Sequence, residues 1–442
     1  MMSYIKIILY SLVFLCILPL NAQEVLTKKR AIEIALENNY GVKVANNNVE
    51  IAKNNSSIFN TRHLPTLTTR AGVSYNNSNQ EIEFQNGEVT NVKGAETENF
   101  NASLNLNYTI FDGLGRKYNY EQLKENYNLS ELEARATIEN MYLQLFTVYF
   151  QIARLSENTK NLEEALAVSK DRLKRAQYQY EYGQTNKLEL LNAEVDVNND
   201  SINLLNTNQL FANTKRDLGI VLGVQDNSII YNVETDVNFI ALINIEELLV
   251  KAKANNVSLI QNEKNIAINE LNLKINKSSY LPTIGLTSSY GWNKNINPVT
   301  AFSAFSENTG FNAGLNLTWN VFDGGLTKTR VANSIIAIEN QKILREQQII
   351  TLESQLRNSY DSYQNALFIL EAQEQNVRTN QNNFERTQER YILGQVTSIE
   401  FRLAQINLLN AKTAYDNAKY DAKLFELNLL QLSGELLNID FL

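Results

Sequence analysis

Few residues in this chain are of types that do chemistry. One histidine, His63, stands beside Leu64-Pro65, and the one cysteine, Cys16, falls in an apolar N-terminal stretch. A lone imidazole with no thiolate partner makes no zinc cluster. A Ser-His-Asp set would have to be built on that same His63, at a helix-to-strand junction. Phe111-Asp112-Gly113-Leu114-Gly115 carries two glycines but lacks the Lys and the spacing of a phosphate-binding loop. The triplet returns as Phe322-Asp323-Gly324. Asp before Gly suits a turn or a helix cap, so Asp112, Gly113, Asp323 and Gly324 are expected to be structural joints. These residues point away from catalysis: no enzyme, no metal, no cofactor and no ATP use.

The two triplets belong to a larger pattern. They lie 211 positions apart, as do Asn101-Ala102 and Asn312-Ala313. Tyr180, Gly183 and Gln184 recur at that offset as Tyr391, Gly394 and Gln395. Leu64-Pro65-Thr66 and Leu281-Pro282-Thr283 are 217 apart, which places a longer insert in the first copy between Leu-Pro-Thr and Phe-Asp-Gly. Ordered landmarks over most of each half indicate an internal duplication. Each half reads helix, strand, loop, strand, long helix, turn, helix. The first repeat spans 23–222 with a strand hairpin over 66–110, and the second spans 245–432 with one over 283–321. Between them lies a mid-rod segment, 223–244, in which Ile229-Ile230-Tyr231 is a candidate strand. A tail, 433–442, closes the chain.

Residues 1–22 have a basic start at Lys6, an apolar core and a small residue at Ala22, and read as a secretory signal. A lipoprotein reading of Cys16 is weak, because Leu15 precedes it and the apolar core runs on past it. Removing the segment takes away Lys6 alone and moves the formal charge from −8 to −9. An acidic secreted chain is a poor nucleic-acid binder. Beyond the signal no apolar run is long enough for a membrane helix. A chain can still cross as strands.

The strands have that character. In Phe100–Phe111 one face carries Phe100, Ala102, Leu104, Leu106, Tyr108 and Ile110, and the other Asn101, Ser103, Asn105, Asn107 and Thr109. Phe311–Phe322 repeats the alternation, with Asn312, Gly314, Asn316, Thr318 and Asn320 on its polar face. Partners begin after Pro65 and Pro282. Segments of about 10 residues match a tilted membrane strand, and a polar face of Asn, Ser and Thr suits a water-filled lumen. Four strands cannot close a barrel, for which about eight is the minimum. Several copies must therefore share one. Asn76–Asn99 and Asn293–Gly310 are expected to be long polar loops outside the membrane.

From Leu114 to Tyr182 there is no proline, and apolar or small residues recur in alternating steps of four and three: Met141, Leu145, Val148, Ile152, Leu155, and on to Tyr180. The pattern returns from Leu352 to Tyr391. A sustained seven-residue repeat specifies coiled-coil packing. This helix would be roughly 100 Å long, and the shorter Thr27–Arg62 and Asn186–Leu222 together match it at 1.5 Å per residue. Lys328–Leu393, Ile245–Ser279 and Thr397–Leu432 repeat the arrangement.

Together these landmarks resemble the TolC family of outer-membrane efflux channels over nearly the whole mature chain. The resemblance rests on the duplication, on Leu-Pro-Thr opening a strand, on Phe-Asp-Gly closing the next, and on the turns at Tyr180–Gln184 and Tyr391–Gln395. It implies a mainly α fold with β. Four strands per chain join in a homotrimer as a 12-stranded outer-membrane barrel, continued by a coiled-coil tunnel in the periplasm. It implies an exit duct whose partners are a periplasmic adaptor, an inner-membrane pump and outer-membrane lipid. It places the adaptor-docking turns at Gly183, Gln184, Gly394 and Gln395 and the barrel–tunnel joints at Pro65, Asp112, Gly113, Pro282, Asp323 and Gly324. The tip, which opens by an iris-like movement, carries Glu400, Glu189, Tyr391 and Tyr180. Two positions depart from the family pattern: Leu403 replaces a second constricting acid, and Val396 replaces the basic partner of a closing ion pair. The alternative is a secreted or periplasmic coiled-coil rod, structural or adhesive.

Overall fold

A computed structural model describes residues 25–224, 231–240 and 243–438. The signal segment, Ile229-Ile230 and the last residues of the tail lie outside these. The elements are β1 Val25–Leu26, α1 Lys28–Asn38, α2 Tyr40–Asn55, β2 Thr66–Glu83, β3 Val89–Asp112, α3 Gly115–Glu181 and α4 Lys187–Leu222. There follow β4 Asn232–Val233, α5 Ile245–Asn255, α6 Val257–Ser278, β5 Thr283–Ile296, β6 Phe305–Thr318, α7 Leu326–Ile392 and α8 Ser398–Leu432. Two compact units cut across the repeats. One gathers residues up to Asn46, Glu133–Ile260 and Gln348 onward; the other gathers Asn47–Leu132 and Gln261–Gln347.

Helices α3 and α7 have 67 residues each. The seven-residue stripe is their buried face: Leu145 and Ile152 on α3 and Leu356 on α7 are fully enclosed, and Tyr363 nearly so. In the first unit this stripe meets an aromatic cluster of Phe146, Tyr149, Phe150 and Tyr420, with ring centroids 5.8–6.3 Å apart. The Tyr149 hydroxyl donates to the Leu26 carbonyl at 2.6 Å and accepts from the Glu234 N–H at 3.0 Å. It thereby fastens the parallel β1–β4 pair, which sits just after the candidate strand at Ile229–Tyr231.

The shorter helices differ from expectation. Thr27–Arg62 and Ile245–Ser279 are each broken, at Asn39 and Asn256. The cause is the same in both repeats. Asn39 Oδ1 accepts from the Val42 N–H, while its Nδ2 donates to the Val221 carbonyl at 2.8 Å. Asn256 Oδ1 accepts from the N–H groups of Ser258 and Leu259, while its Nδ2 donates to the Leu432 carbonyl at 3.0 Å. One asparagine thus caps the next helix and a free carbonyl near the end of α4 or α8. Beyond those ends Gly223 and Gly434 take the left-handed conformation. A Cβ there would lie 2.3 Å from the Asn38 carbonyl oxygen or 2.5 Å from that of Asn255.

In the second unit the strands form one antiparallel sheet in the order β2-β3-β5-β6. Its register aligns like with like. Thr69, Leu104, Tyr290 and Phe311 make one row, and Leu67, Leu106, Ser288 and Ala313 the next. On the opposite face Thr68, Asn105, Ser289 and Asn312 align, as do Gly72, Asn101, Asn293 and Asn308. The expected loops are mostly strand: β2 runs to Glu83, β3 starts at Val89, and β5 and β6 extend to Ile296 and from Phe305. Only Phe84–Glu88 and Asn297–Ala304 remain as connections. These extensions are mostly polar, so the alternation fades while the backbone pairing continues. Strand β6 ends at Thr318 rather than near Val321, because β5 begins at Thr283, opposite Thr318, and leaves nothing further to pair with. Phe111 and Asp112 of β3 do find partners, Ile284 and Thr283, past a bulge at Thr109.

Candidate functional site

The sheet exposes its apolar face. Leu67, Val73, Leu104, Tyr290, Phe311, Leu315 and Leu317 are all exposed. A contiguous apolar surface of that size needs a non-aqueous neighbour. At its far edge each hairpin carries the same pair: the Tyr75 hydroxyl donates to Glu96 at 2.8 Å, and Trp292 Nε1 donates to Glu307 at 2.8 Å. Tyr75 and Trp292 are repeat equivalents, as are Glu96 and Glu307. Aromatic rings with one end apolar and the other hydrogen-bonded suit a membrane interface. The polar face is knitted by amides, with Asn99 donating to Asn295 at 2.6 Å. Strands β2 and β6 are the sheet's two unpaired edges.

At the near end Pro65 and Pro282 stand immediately before β2 and β5, where the missing N–H costs no ladder bond. The Asp112 carboxylate accepts from the Arg116 N–H and Nε, both at 3.0 Å, and Arg116 Nη1 reaches the Arg62 carbonyl. Asp323 accepts from the Thr327 hydroxyl and from the N–H groups of Thr327 and Gly325, capping α7, and these bonds, the hydroxyl's first, hold its carboxyl below the ordinary range. Gly113 and Gly324 both have φ of +69°. Only Gly113 is crowded: a Cβ there would lie 2.4 Å from the Ser278 carbonyl oxygen, whereas Gly324 has open space. Gly113→Ala is therefore expected to lower the thermal unfolding midpoint clearly more than Gly324→Ala, which carries conformational strain alone.

Both turns at the other ends of α3 and α7 share one geometry. Gly183 and Gly394 have φ of +71° and +72°. Gly183 N–H donates to the Tyr180 carbonyl and Gln184 N–H to Gln179; Gly394 and Gln395 repeat this on Tyr391 and Arg390. This is the glycine-ended helix stop, with Gln184 and Gln395 closing its wider bond. Glu189 and Glu400 then occupy the third position of the following helices. Asn186 caps α4, its Oδ1 accepting from the Glu189 N–H, and Thr185 donates to the Glu189 carboxylate at 2.6 Å. Thr397 and Glu400 form a reciprocal capping box. The Thr397 N–H and hydroxyl, both donating to Glu400, hold its carboxyl below the ordinary range. Tyr391 lies flat on Phe401 at 4.8 Å, and the Arg175 guanidinium also lies over the Tyr391 ring, 5.7 Å from its centroid. Tyr180 is exposed and takes no part in that stack.

Beside the turns is a charge cluster that sequence reasoning did not find. Arg402 of α8 grips Asp200 of α4 with both terminal nitrogens, at 2.7 and 2.8 Å. Arg172 of α3 pairs with Asp196, and Ser169 donates to Asp200 at 2.6 Å. Arg172, Asp200 and Ser169 are buried. Burial alone would raise the Asp200 carboxyl; the bonds from Arg402 and Ser169 outweigh it and hold it below its ordinary value. The available signal was charge at buried-stripe spacing on α3, α4 and α8, but which Arg meets which Asp depends on three-helix packing.

The contact between α3 and α8 continues away from the turns through Gln405 to Ala165, Lys412 to Glu164, Thr413 to Asn158, Asn161 to Asp416 and Arg154 to Asp421. Within it, burial and nearby Glu157 push the Asp416 carboxyl up to about 6 from 3.8. Between those values the folded state binds the extra proton, so stability falls as pH rises from about 4 to 6 and the full penalty persists above. The upper bound is about 3 kcal/mol. Asp416→Asn is expected to stabilise the protein at pH 7 and to leave it unchanged near pH 4, measured as unfolding midpoints across that range.

Comparisons with known proteins agree with this architecture. The family model for the outer membrane efflux protein matches residues 31–224 and 248–435, one match per repeat. The chain is 22% identical to the outer membrane protein TolC of Vibrio cholerae over 304 residues, 68% of this chain and 69% of that one. It is also 22% identical to the probable outer membrane lipoprotein SilC of Salmonella typhimurium over 428 residues, 92% of this chain and 85% of the relative. The CmeC outer membrane channel of Campylobacter jejuni superposes with a TM-score of 0.77 at 19% identity, covering 92% of this chain and 86% of that channel. VceC of Vibrio cholerae gives 0.72 at 16% identity, covering 92% and 96%. With both repeats matched over most of the chain, the protein belongs to the outer membrane efflux protein family.

Proposed function

We propose that three copies of this chain close their sheets edge to edge into one barrel, making the passive outer-membrane duct of a tripartite efflux or secretion assembly. The chain sits in the outer membrane, with its helical part in the periplasm. The observation that carries the reading is the sheet, with an exposed apolar face, an amide-lined face and two unpaired edges. Joining β6 of one copy to β2 of the next removes every edge. Such a barrel is lipid-facing outside and wet inside. A periplasmic adaptor docks at Gly183, Gln184, Gly394 and Gln395, and an inner-membrane pump supplies the energy and selects the cargo. The duct itself does no chemistry. The alternative, a rod free of the membrane, leaves the apolar sheet face uncovered and predicts extraction without detergent.

Glu400 supplies the charge at the tip, and its depressed carboxyl keeps it ionised through mildly acidic pH. Reconstituted trimers in planar bilayers are expected to conduct with a preference for cations, and Glu400→Gln to weaken that preference. Folded trimers that form no channels would rule the duct out.

A further inference from the structure

The polar face of the sheet is almost free of charge. On β3 from Asn99 to Thr109, on β5 from Thr283 to Asn295 and on β6 from Ser306 to Thr318 it consists of Asn, Ser, Thr and Gly alone. Strand β2 adds Thr66, Thr68, Gly72 and Ser74, and one exception, Arg70. The exception is not part of the duplicated plan. Its repeat equivalent is Thr287, a neutral side chain on the same wet surface. A position that needed only to be hydrophilic would be served by threonine in both repeats. Arg70 is exposed, and its guanidinium has no ion pair or hydrogen bond among the described residues. Its row holds nothing bulky: Arg70 aligns with Ser103, Gly291 and Gly310. Two residues along β2, the space over Gly72 is taken by the Asn101 amide, whose Oδ1 would lie 2.8 Å from a Cβ there. The guanidinium therefore has room to extend away from the sheet. Closing the barrel does not neutralise it, because no strand brings a carboxylate to this face over these rows.

We propose that Arg70 is an anion-binding residue, and that the three guanidiniums of the closed barrel form one ring in its lumen that holds a multivalent anion, a polyphosphate or polycarboxylate group. Copies related by a closed symmetry axis set these side chains at one level. Each guanidinium presents a planar fork of N–H donors that matches phosphate or carboxylate oxygens two at a time. Rings of arginine suit anions as rings of carboxylates suit cations. The amide wall around the ring offers no competing counter-charge. The sign is opposite to that of Glu400, so the barrel holds anionic groups where the tip favours cations. This rests on the trimeric barrel proposed above.

The test uses tripolyphosphate, titrated by calorimetry into detergent-solubilised trimers at low salt and added to trimers reconstituted in planar bilayers. Wild-type protein should bind a single tripolyphosphate per trimer, and Arg70→Gln should weaken that binding by roughly tenfold or more. Arg70→Lys, which keeps the charge and loses the fork, should fall between the two. In the bilayer, tripolyphosphate should reduce the wild-type current reversibly, less so as salt rises, and should leave the Arg70→Gln current unchanged. Binding to Arg70→Gln as tight as to wild type, or no binding to wild-type trimers that form channels, overturns the proposal. A wild-type preparation with folded chains but no trimers or channels would instead refute the barrel itself.

Discussion

Gly223→Ala and Gly434→Ala should each destabilise the protein by about 2–5 kcal/mol, read from denaturant unfolding of the detergent-solubilised chain. Two costs add. A side chain at φ of +70° or +74° costs about 1–2 kcal/mol. The new Cβ also meets a backbone carbonyl at 2.3 or 2.5 Å, and forcing extra volume into a packed site costs about 1–3 kcal/mol more. Nothing flexible is available to yield, since the clashing atoms belong to the last turns of α1 and α5. The equivalent change at Gly183 or Gly394, where the Cβ would meet open space, should cost only the conformational part. Equal losses at all four positions would show that the close approach carries no energy.

Glu426→Ala should cost about as much, 3–5 kcal/mol for one partner removed from a buried ion pair. Glu426 is 1% exposed and pairs with Lys423, itself buried. Its second oxygen accepts from the Tyr363 hydroxyl at 3.0 Å and from the Ile240 N–H at 3.2 Å. Lys423 also donates to the Asn238 carbonyl at 2.7 Å. The pair therefore anchors the segment between the repeats to α8, and loss of Glu426 leaves the Lys423 ammonium without its counter-charge and a phenol and a backbone N–H without this acceptor. Lys423→Met with Glu426→Leu removes both charges and should recover much of the loss. If the single and double variants unfold at the same midpoint, the stranded charge is not the cause.

The long helices, their buried stripe, the strand alternation and the duplication were legible because each is periodic and local. Leu145, Ile152 and Leu356 are buried as their spacing requires, and the Phe-Asp-Gly joints cap helices as Asp before Gly suggests. What escaped depended on partners distant in sequence. Asn39 and Asn256 look like ordinary helix residues until Val221 and Leu432 bring carbonyls to them. The strands outran their apolar pattern because pairing, not patterning, holds the polar hairpin ends. Glu400 was read from the family pattern as a pore charge. The structure adds that its carboxylate also holds the start of α8. Arg402 and Asp200 are invisible as a pair from spacing alone, being 202 residues apart.

The central pairing of the sheet sets the order in which the molecule can assemble. Strand β3 meets β5 with Asp112 opposite Thr283 and Glu98 opposite Ile296, so its first bridge closes a loop of more than a hundred and fifty residues. The chain-entropy cost of such a closure precedes any reward from the ladder. The hairpins β2–β3 and β5–β6 and the adjoining helices close far shorter loops and can form early. The β3–β5 bridge must wait until α3, α4, α5 and α6 have folded and shortened the path between its ends. The lipid-facing surface is thus completed late, after the water-soluble helices have formed.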